Sequence, residues 1–280
     1  MINFDVIQIM KNRSNMTNHS IIGAIAGDVI GSVFEFHNIK TTEFELFTEE
    51  TTFTDDTVLT MAVADAILNG KDYSENIHAF GRKYTRRGYG GNFFKWLLSN
   101  NPQPYNSFGN GSGMRVSPVG FAFSTLEKVL EEAKKSAEVT HNHPEGIKGA
   151  QAIASAIFLA KNGAPKNDIK DYIRITFDYD LNFTLDEIRP RYRFSEICQD
   201  SVPQAIVAFL ESSDYESCIR LAISIGGDSD TIACMAGGIA AAYYKIIPDY
   251  ILEETLKRLP EEFIEIIEKF NDLNISNIIK

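Results

Sequence analysis

Two short acidic segments, far apart in the sequence, carry the residue types that bind divalent cations. One is Asp228-Ser229-Asp230-Thr231, which follows two glycines, and the other is Thr54-Asp55-Asp56. In both segments, carboxylates lie beside a hydroxyl, directly before an apolar run of the kind that forms a helix. Carboxylates this close repel one another unless a positive charge binds between them. Oxygen ligands of this type are the ones that Mg²⁺ and Ca²⁺ prefer.

The same residues have a plainer interpretation as helix N-caps, because Asp, Ser and Thr are common at that position. The repetition of one chemistry in two places favours a metal site instead. If the two helix starts meet, four carboxylates can neutralise two divalent ions, and paired ions suit hydrolysis. Zinc is disfavoured because the cysteines and histidines are not clustered. The six oxygen-bearing candidates are Thr54, Asp55, Asp56, Asp228, Asp230 and Thr231.

The elements that must position these residues are helices. Apolar residues recur at helical spacing, and no segment alternates strictly between polar and apolar residues, so strands are expected to be scarce. The pattern predicts an all-α fold of about ten or more helices, in a single compact domain over residues 19–280. Residues 1–18 are polar and mixed, and are predicted to form an N-terminal extension. Trp96 is predicted to lie in the core.

The first helix is predicted to start at a Ser20 cap and to run from Ile21 to Phe36. Asp28 and Glu35 lie seven residues apart, which would place them on one helix face. On another face of this helix, glycine recurs every four residues. Each interior glycine lowers helix stability by roughly 1 kcal/mol relative to alanine. That face is expected to allow close approach of another backbone or a ligand. Its glycines are Gly23, Gly27 and Gly31.

Residues 100–119 form the richest loop, with glycines at 109, 111 and 113. Glycine lets backbone N–H groups crowd around an anion, although a plain flexible connection fits the composition as well. We interpret Arg115 as half of an internal pair with a carboxylate, rather than as a phosphate ligand. His141 and His143 are better explained by substrate contact or loop structure than by metal binding. Capping boxes are predicted where Ser124 precedes Glu127 and where Thr184 precedes Glu187.

Composition limits the class of protein and its partners. The 280 residues have a formal net charge of −11, so the chain is expected to repel phosphate backbones and not to bind nucleic acid. The three cysteines are odd in number and lack metal-ligand spacing, which predicts reduced thiols in a cytoplasmic protein. No secretion signal or membrane span is predicted.

Five motifs in a fixed order give a more specific indication. The motifs are Gly23-x-x-x-Gly27-Asp28-x-x-Gly31-x-x-x-Glu35, Phe53-Thr54-Asp55-Asp56-Thr57, Gly109-Asn110-Gly111-Ser112-x-Met114-Arg115, Thr140-His141-x-His143-Pro144 and Gly226-Gly227-Asp228-x-Asp230-Thr231. By these motifs the chain resembles the ADP-ribosylglycohydrolases, a family that includes the dinitrogenase-reductase-activating glycohydrolase. The resemblance extends from about residue 21 to residue 248 and departs from the family pattern in none of the five.

The resemblance implies an all-α fold with two Mg²⁺ ions, or Mn²⁺ in their place, at the mouth of a cleft. It implies the same six ligands as the chemistry above, with Glu35 as an acidic residue near the metals and His141 as a residue that positions ADP-ribose. The glycine-rich loop is expected to hold the diphosphate. The loop residues implied are Ser107, Phe108, Gly109, Asn110, Gly111 and Ser112. The residue that activates water is expected among Glu35, Asp56 and Asp228, which the sequence does not rank.

The expected activity is Mg²⁺-dependent cleavage of the N-glycosidic bond between ADP-ribose and a protein side chain, with arginine as the acceptor, reversing mono-ADP-ribosylation. The expected partners are therefore an ADP-ribosylated protein and ADP-ribose itself. One alternative is a different ADP-ribosyl substrate, linked through serine, a nucleobase or a small molecule. Another is an immunity-type protein that also covers an ADP-ribosyltransferase. A binding module without catalysis is disfavoured because all six ligands are present.

Overall fold

The structure, a computed structural model, describes residues 20–278. The predicted N-terminal extension at residues 1–18 lies outside the described residues. Within them the chain forms helices, and the one β-bridge, between Gly109 and Ile197, is isolated. The prediction of an all-α fold is confirmed. The helices are α1 (Ile22–Gly31), α2 (Asp55–Asn69), α3 (Tyr73–Lys83), α4 (Gly91–Leu98), α5 (Gly111–Met114), α6 (Ser117–Ala122), α7 (Leu126–Glu138), α8 (Pro144–Lys161), α9 (Lys166–Phe177), α10 (Leu185–Ile188), α11 (Cys198–Glu211), α12 (Tyr215–Ser224), α13 (Ser229–Tyr244), α14 (Asp249–Leu256) and α15 (Glu261–Ile278).

Helices α1 and α13 pack backbone against backbone at the centre of the molecule. A Cβ atom added to Gly27 would lie 2.1 Å from the carbonyl oxygen of Ala233, and one added to Gly31 would lie 2.4 Å from the Cα of Asp230. No side chain fits at these distances. The expected close approach on the glycine face is therefore present, and the partner is the helix that follows the second acidic segment.

The remaining helices enclose this central pair. Helices α8, α11 and α12 pack against α13, while α2 packs against α3, α6 and α15. Fully buried aliphatic side chains such as Ile25, Ile153 and Ile239 fill the space between them. Burial of one such side chain stabilises the fold by about 1.5–3 kcal/mol. Trp96 lies in this core as predicted, and the three cysteines are free and buried. None of the helices described here combines the length and apolar character needed to cross a bilayer.

The start and end of α1 differ from the prediction. The helix ends at Gly31, five residues before Phe36, so Asp28 and Glu35 do not share a helix face. Ser20 does not cap it, because Ile21 occupies the N-cap position without a side-chain bond, and the Ser20 hydroxyl donates to Asn271 instead. Apolar periodicity reports the core-facing side of a segment and is a weak guide to where the segment stops.

One of the two predicted capping boxes is present. The Thr184 hydroxyl accepts the Glu187 N–H at 3.3 Å, and the Glu187 carboxylate accepts the Thr184 N–H at 2.8 Å. The box predicted at Ser124 is wrong because α7 begins one residue later than expected. Thr125 is the N-cap there, and its hydroxyl accepts the Lys128 N–H at 3.2 Å.

Candidate active-site cleft

The N-termini of α2 and α13 meet at the wall of a cavity of about 460 Å³. This volume is in the range of sites for small molecules and cofactors. The Thr231 hydroxyl reaches the Asp56 carboxylate at 3.4 Å, which joins the two acidic segments directly. The structure thus brings together residues that lie far apart in the sequence. The acidic residues that line the cavity are Glu35, Asp55, Asp56, Glu196, Asp228 and Asp230.

The first segment is held by Asp28, a fully buried residue of α1. Its carboxylate accepts the Thr54 hydroxyl at 2.6 Å and the Thr54 N–H at 3.0 Å. It also accepts the N–H and the hydroxyl of Thr57. Thr54 in turn caps α2 by accepting the Asp56 N–H at 3.3 Å. Asp28 was not among the sequence candidates, although a lone carboxylate inside an apolar, glycine-faced helix is a signal for such a role.

The second segment follows a turn that requires glycine. Gly226 and Gly227 have φ angles of 67° and 80°, a region that favours glycine. Asn38 brackets the turn, because its amide accepts the Gly227 N–H and donates to the Gly227 carbonyl, both at 2.8 Å. Asp228 occupies the N-cap position of α13 without a capping bond from its side chain. Its carboxylate accepts from the Asn110 amide at 2.7 Å, so it serves the cleft and not the helix end.

Burial and mutual repulsion dominate the electrostatics of these carboxylates. Burial, followed by the charges of Asp28, Asp55 and Asp228, raises the pKa of Asp56 well above its usual range. Burial likewise raises the pKa of Asp55, Asp228 and Asp230. One oxygen of Asp56, Oδ2, is buried without any hydrogen-bond partner. An unsatisfied carboxylate oxygen among like charges fits the environment of a bound cation.

Glu35 approaches the second segment from the turn after α1. One carboxylate oxygen from each of Glu35, Asp228 and Asp230 lies within 4.8 Å of the others, a grouping that could hold a metal ion. Glu35 is half-buried. Burial, and then the charge of Asp228, raises the pKa of Glu35 to about 7. Hard oxygen donors at this spacing suit Mg²⁺ and similar ions.

The glycine-rich loop lines another part of the cavity. Ser107, Phe108, Gly109, Asn110 and Gly111 all face it. The Asn110 amide is bound to Asp228. Ser112 is fully buried and does not line the cavity, because its hydroxyl donates to the Gly146 carbonyl at 2.7 Å. The N–H groups of Ser107, Gly109 and Asn110 donate to Thr140, Ser107 and Glu196, so the loop offers the cavity the N–H groups of Phe108 and Gly111 and the ring of Phe108. Through Asn110 the loop also binds the second acidic segment.

His141 faces this loop, and its ring is oriented by Thr140 and, through it, by Arg115. A Cβ atom on Gly111 would lie 3.1 Å from His141 Nε2. The Thr140 hydroxyl contacts His141 Nδ1 at 2.7 Å and accepts from Arg115 Nη2 at 3.0 Å. The Thr140 hydroxyl can give its proton to Nδ1 while it accepts from Arg115, and the ring proton then lies on Nε2. Burial, and then the Arg115 charge, lowers the pKa of His141 well below 6.5. His141 is thus neutral, and its Nε2 atom faces the loop.

The interpretation of Arg115 as part of an ion pair with a carboxylate is wrong. Its guanidinium is fully buried and donates to the Ser136 carbonyl at 2.8 Å as well as to Thr140. No ion pair involving Arg115 occurs in the described part of the chain, and its Nε and Nη1 atoms are buried without partners there. His143 caps α8 by accepting the Glu145 N–H at 3.1 Å.

Several residues of the cleft had no motif to indicate them. Tyr105 lines the cavity beside His141, with 6.1 Å between ring centroids. Glu196 and Asn92 also line it. These residues belong to loops or to a helix start that is adjacent only in the folded chain, so spacing in the sequence offers no signal for them.

Comparison with known proteins gives one consistent family. The family described as ADP-ribosylglycohydrolase matches residues 13–277. The chain is 30% identical to ADP-ribosylhydrolase ARH3 of Homo sapiens over 80% of this chain and 84% of that protein. It is 27% identical to ADP-ribosylarginine hydrolase Tri1 of Pseudomonas putida over 81% and 70%, respectively. A solved structure described as an ADP-ribosylglycohydrolase-related protein complex has the same fold, with a TM-score of 0.70 at 21% identity, covering 94% of this chain and 99% of that one.

Proposed function

The chain belongs to the ADP-ribosylglycohydrolase family and is a hydrolase, and from the cleft we propose that it releases ADP-ribose from a modified arginine side chain. The observation that carries this proposal is the polarity of the cavity. Carboxylates of two helix starts and of Glu35 line one part, while a glycine-rich loop and a neutral His141 line another. A ligand with an anionic diphosphate and a cationic leaving group matches both parts.

We propose that the reaction depends on two Mg²⁺ ions, with Mn²⁺ as a substitute. The proposal is supported by the unpartnered Oδ2 of Asp56 and by the crowding of carboxylates whose pKa values are raised. When bound, the ions supply positive charge that neutralises the carboxylates and orients the distal ribose hydroxyls. The residues that would hold them are Thr54, Asp55, Asp56, Asp228, Asp230 and Thr231.

The loop and His141 bind the substrate in this proposal. The backbone N–H groups of Phe108 and Gly111, and His141 with its proton on Nε2, donate to the diphosphate oxygens. Because the pKa of His141 is low, it stays a neutral donor through the physiological pH range. Asn110 acts through Asp228, since its amide fixes the orientation of that carboxylate at 2.7 Å. Phe108, which is 44% exposed, offers a ring face to the adenine.

Glu35 is the proposed proton acceptor. Of the three candidates for this step, Glu35 is the one outside the two acidic segments that would hold the ions, and its carboxylate lies within 4.8 Å of Asp228 and Asp230. Glu35 takes a proton from the attacking water, whose oxygen bonds to C1″ of the ribose as the C1″–N bond breaks. The electron pair of that bond leaves with the guanidine, which takes up a proton. With Glu35 in this role, the other two candidates, Asp56 and Asp228, serve as metal ligands.

The arginine acceptor is supported by charge and by one relative. Four of the six carboxylates that line the cavity would be neutralised by the ions, and the other two, Glu35 and Glu196, favour a cationic leaving group over a neutral one. Among the relatives, Tri1 is named for its action on ADP-ribosylarginine. A neutral serine or small-molecule leaving group would leave these two charges without a counterpart.

The test is turnover of three substrates by the purified protein. ADP-ribosylated arginine, serine and nucleobase conjugates are each incubated with Mg²⁺ and with a chelator, and released ADP-ribose is quantified. We expect release in Mg²⁺ only, and much faster release from the arginine conjugate than from the serine and nucleobase conjugates. Release from serine alone would refute the arginine assignment, and equal release in chelator would refute the metal dependence.

A further inference from the structure

Two phenylalanine rings stack against each other in solvent beside the cleft. The centroids of Phe36 and Phe194 lie 6.1 Å apart, with 26° between the ring planes. Phe36 is 76% exposed and Phe194 is 41% exposed. A stacked pair gains stability from its geometry as well as from its buried area, but rings this exposed bury little surface. Their packing alone therefore does not explain an aromatic residue at both positions.

Each ring adjoins an acidic residue that lines the cavity. Phe36 follows Glu35 directly, and Phe194 lies two residues before Glu196. Glu196 is exposed, whereas Glu35 is half-buried, so the acidic lining continues from the interior to the rim. The charge of Glu196 also contributes to the raised pKa of Glu35, which places the two carboxylates near each other. Neither ring lines the cavity itself, and each lies within two residues of an acidic residue that does.

The backbone beneath the rings is held in place. The Lys40 ammonium donates to the Tyr192 carbonyl at 2.9 Å and to the Ile225 carbonyl, which ties together three segments of the rim. The Arg193 guanidinium donates to the same Tyr192 carbonyl at 3.3 Å. Asn38 joins the first of these segments to the Gly227 turn. The aromatic faces are therefore presented on a fixed scaffold.

Aromatic faces next to carboxylates form an environment for a planar cation. The negative face of a phenyl ring attracts a guanidinium, and the attraction is stronger when the site is desolvated. A carboxylate at the same rim adds a hydrogen-bond acceptor for its N–H groups. A neutral hydroxyl-linked acceptor gains from neither contact. Lys40 and Arg193 bring positive charge to the same segments, so discrimination by charge rests on the ring faces and on Glu196.

We propose that Phe36, Phe194 and Glu196 form an acceptor subsite that binds the modified arginine and the adjacent backbone of the protein substrate. The proposal rests on the function proposed above and specifies what selects its substrate. The diphosphate and ribose occupy the interior of the cavity, and the arginine side chain leaves it across the two rings. The residues of the subsite act on specificity and not on the bond that breaks.

The test compares two substrates in the same variants. The double variant Phe36→Ala/Phe194→Ala and the single variant Glu196→Gln are assayed with Mg²⁺ on an ADP-ribosylated arginine protein and on an ADP-ribosylated serine peptide. We expect the ratio of kcat/KM values, arginine over serine, to fall about 10-fold in each variant. Ile175→Ala is the matched control, since Ile175 is 74% exposed on α9 and does not line the cavity. Its ratio should equal that of the parent.

Two results would overturn the subsite. One is an unchanged ratio in both variants, and the other is an equal loss on both substrates, which would mean that the rings only support Glu35. In either case the parent still cleaves the arginine conjugate, so the proposed function stands. A parent that does not cleave the arginine conjugate overturns the proposed function, and the guanidinium subsite falls with it. Thermal melting of each variant confirms that the fold is retained.

Discussion

The carboxylate of Asp28 accepts both the hydroxyl and the backbone N–H of Thr54, at 2.6 and 3.0 Å. Through this contact α1 orients the start of α2, while the glycine face of the same helix packs against the start of α13 at Asp230. One buried helix therefore positions both acidic segments. Asp28 is a positioning residue, since its four accepted bonds are all made to protein donors around Thr54 and Thr57.

Asp28→Asn should destabilise the fold and weaken metal binding together. The asparagine amide places an NH₂ donor against the hydroxyl and N–H donors of Thr54 and Thr57. Buried polar groups are then left unsatisfied, which lowers the free energy of unfolding by about 1–3 kcal/mol. Urea unfolding and Mg²⁺ titration measure the two effects. Asp168→Asn, exposed on α9, is the control and should change neither. Normal Mg²⁺ affinity in Asp28→Asn would separate Asp28 from the site.

Asp228→Asn should abolish most turnover and leave the fold intact. The amide oxygen can still accept from Asn110, but one negative charge is lost from the proposed ligand set. We expect kcat/KM for ADP-ribosylated arginine to fall by about 100-fold or more. In chelator the melting temperature should stay equal or rise, because repulsion with Asp230 is reduced. Turnover close to that of the parent would refute the metal-dependent mechanism.

Mg²⁺ should raise the melting temperature, and chelator should reverse the gain. A ligand that binds only the folded state stabilises it by about 2.7 kcal/mol per site at a concentration 100 times its Kd. Differential scanning calorimetry over a range of Mg²⁺ concentrations provides the measurement. The Asp228→Asn variant serves as the control with a reduced response. A melting temperature that does not depend on Mg²⁺ would contradict the cation site.

Glu35→Gln should bind Mg²⁺, lose turnover and respond differently to pH. The folded-state pKa of Glu35 is raised from its ordinary 4.5 to about 7, so the folded state holds a proton that the unfolded state has released between these values. The metal-free parent therefore loses stability relative to Glu35→Gln as pH rises from about 4.5 to about 7. Denaturant unfolding in chelator at stepped pH measures the difference. Loss of Mg²⁺ binding in this variant would make Glu35 a ligand.

Arg115→Met should change the protonation site of His141 and weaken ADP-ribose binding. Arg115 occupies one lone pair of the Thr140 hydroxyl, and without this donor the hydroxyl is free to accept a proton from His141 Nδ1 in its place. Nitrogen-15 NMR of the imidazole reports the tautomer, and calorimetry reports affinity, which we expect to fall about 10-fold. Thr140→Val is the companion variant. An unchanged tautomer in both variants would refute the relay.

The sequence predicted the helices and the convergence of acidic segments well because both leave local signals. Apolar spacing marks helices such as α2 and α8, and the glycine stripe indicates a close backbone partner without naming it. The sequence pattern could not show that α1 ends before Glu35. The turn there is set by long-range hydrogen bonds such as the one from Asn38 to Gly227. Arg115 was misassigned for the same reason. Its partner Ser136 lies on α7 and its partner Thr140 lies just after that helix, so both contacts form only in the folded chain.

The bond from Thr231 to Asp56 joins positions 175 residues apart. At about 5–20 residues per second, synthesis of that interval takes about 10–35 s. During this time α1 has no helix against its glycine face, and the first acidic segment has no counterpart. Contacts of such long range form late in folding, since loop closure must precede them. The cleft is therefore completed only when α13 docks, so a nascent chain can neither bind nor cleave its substrate before most of the protein has been made.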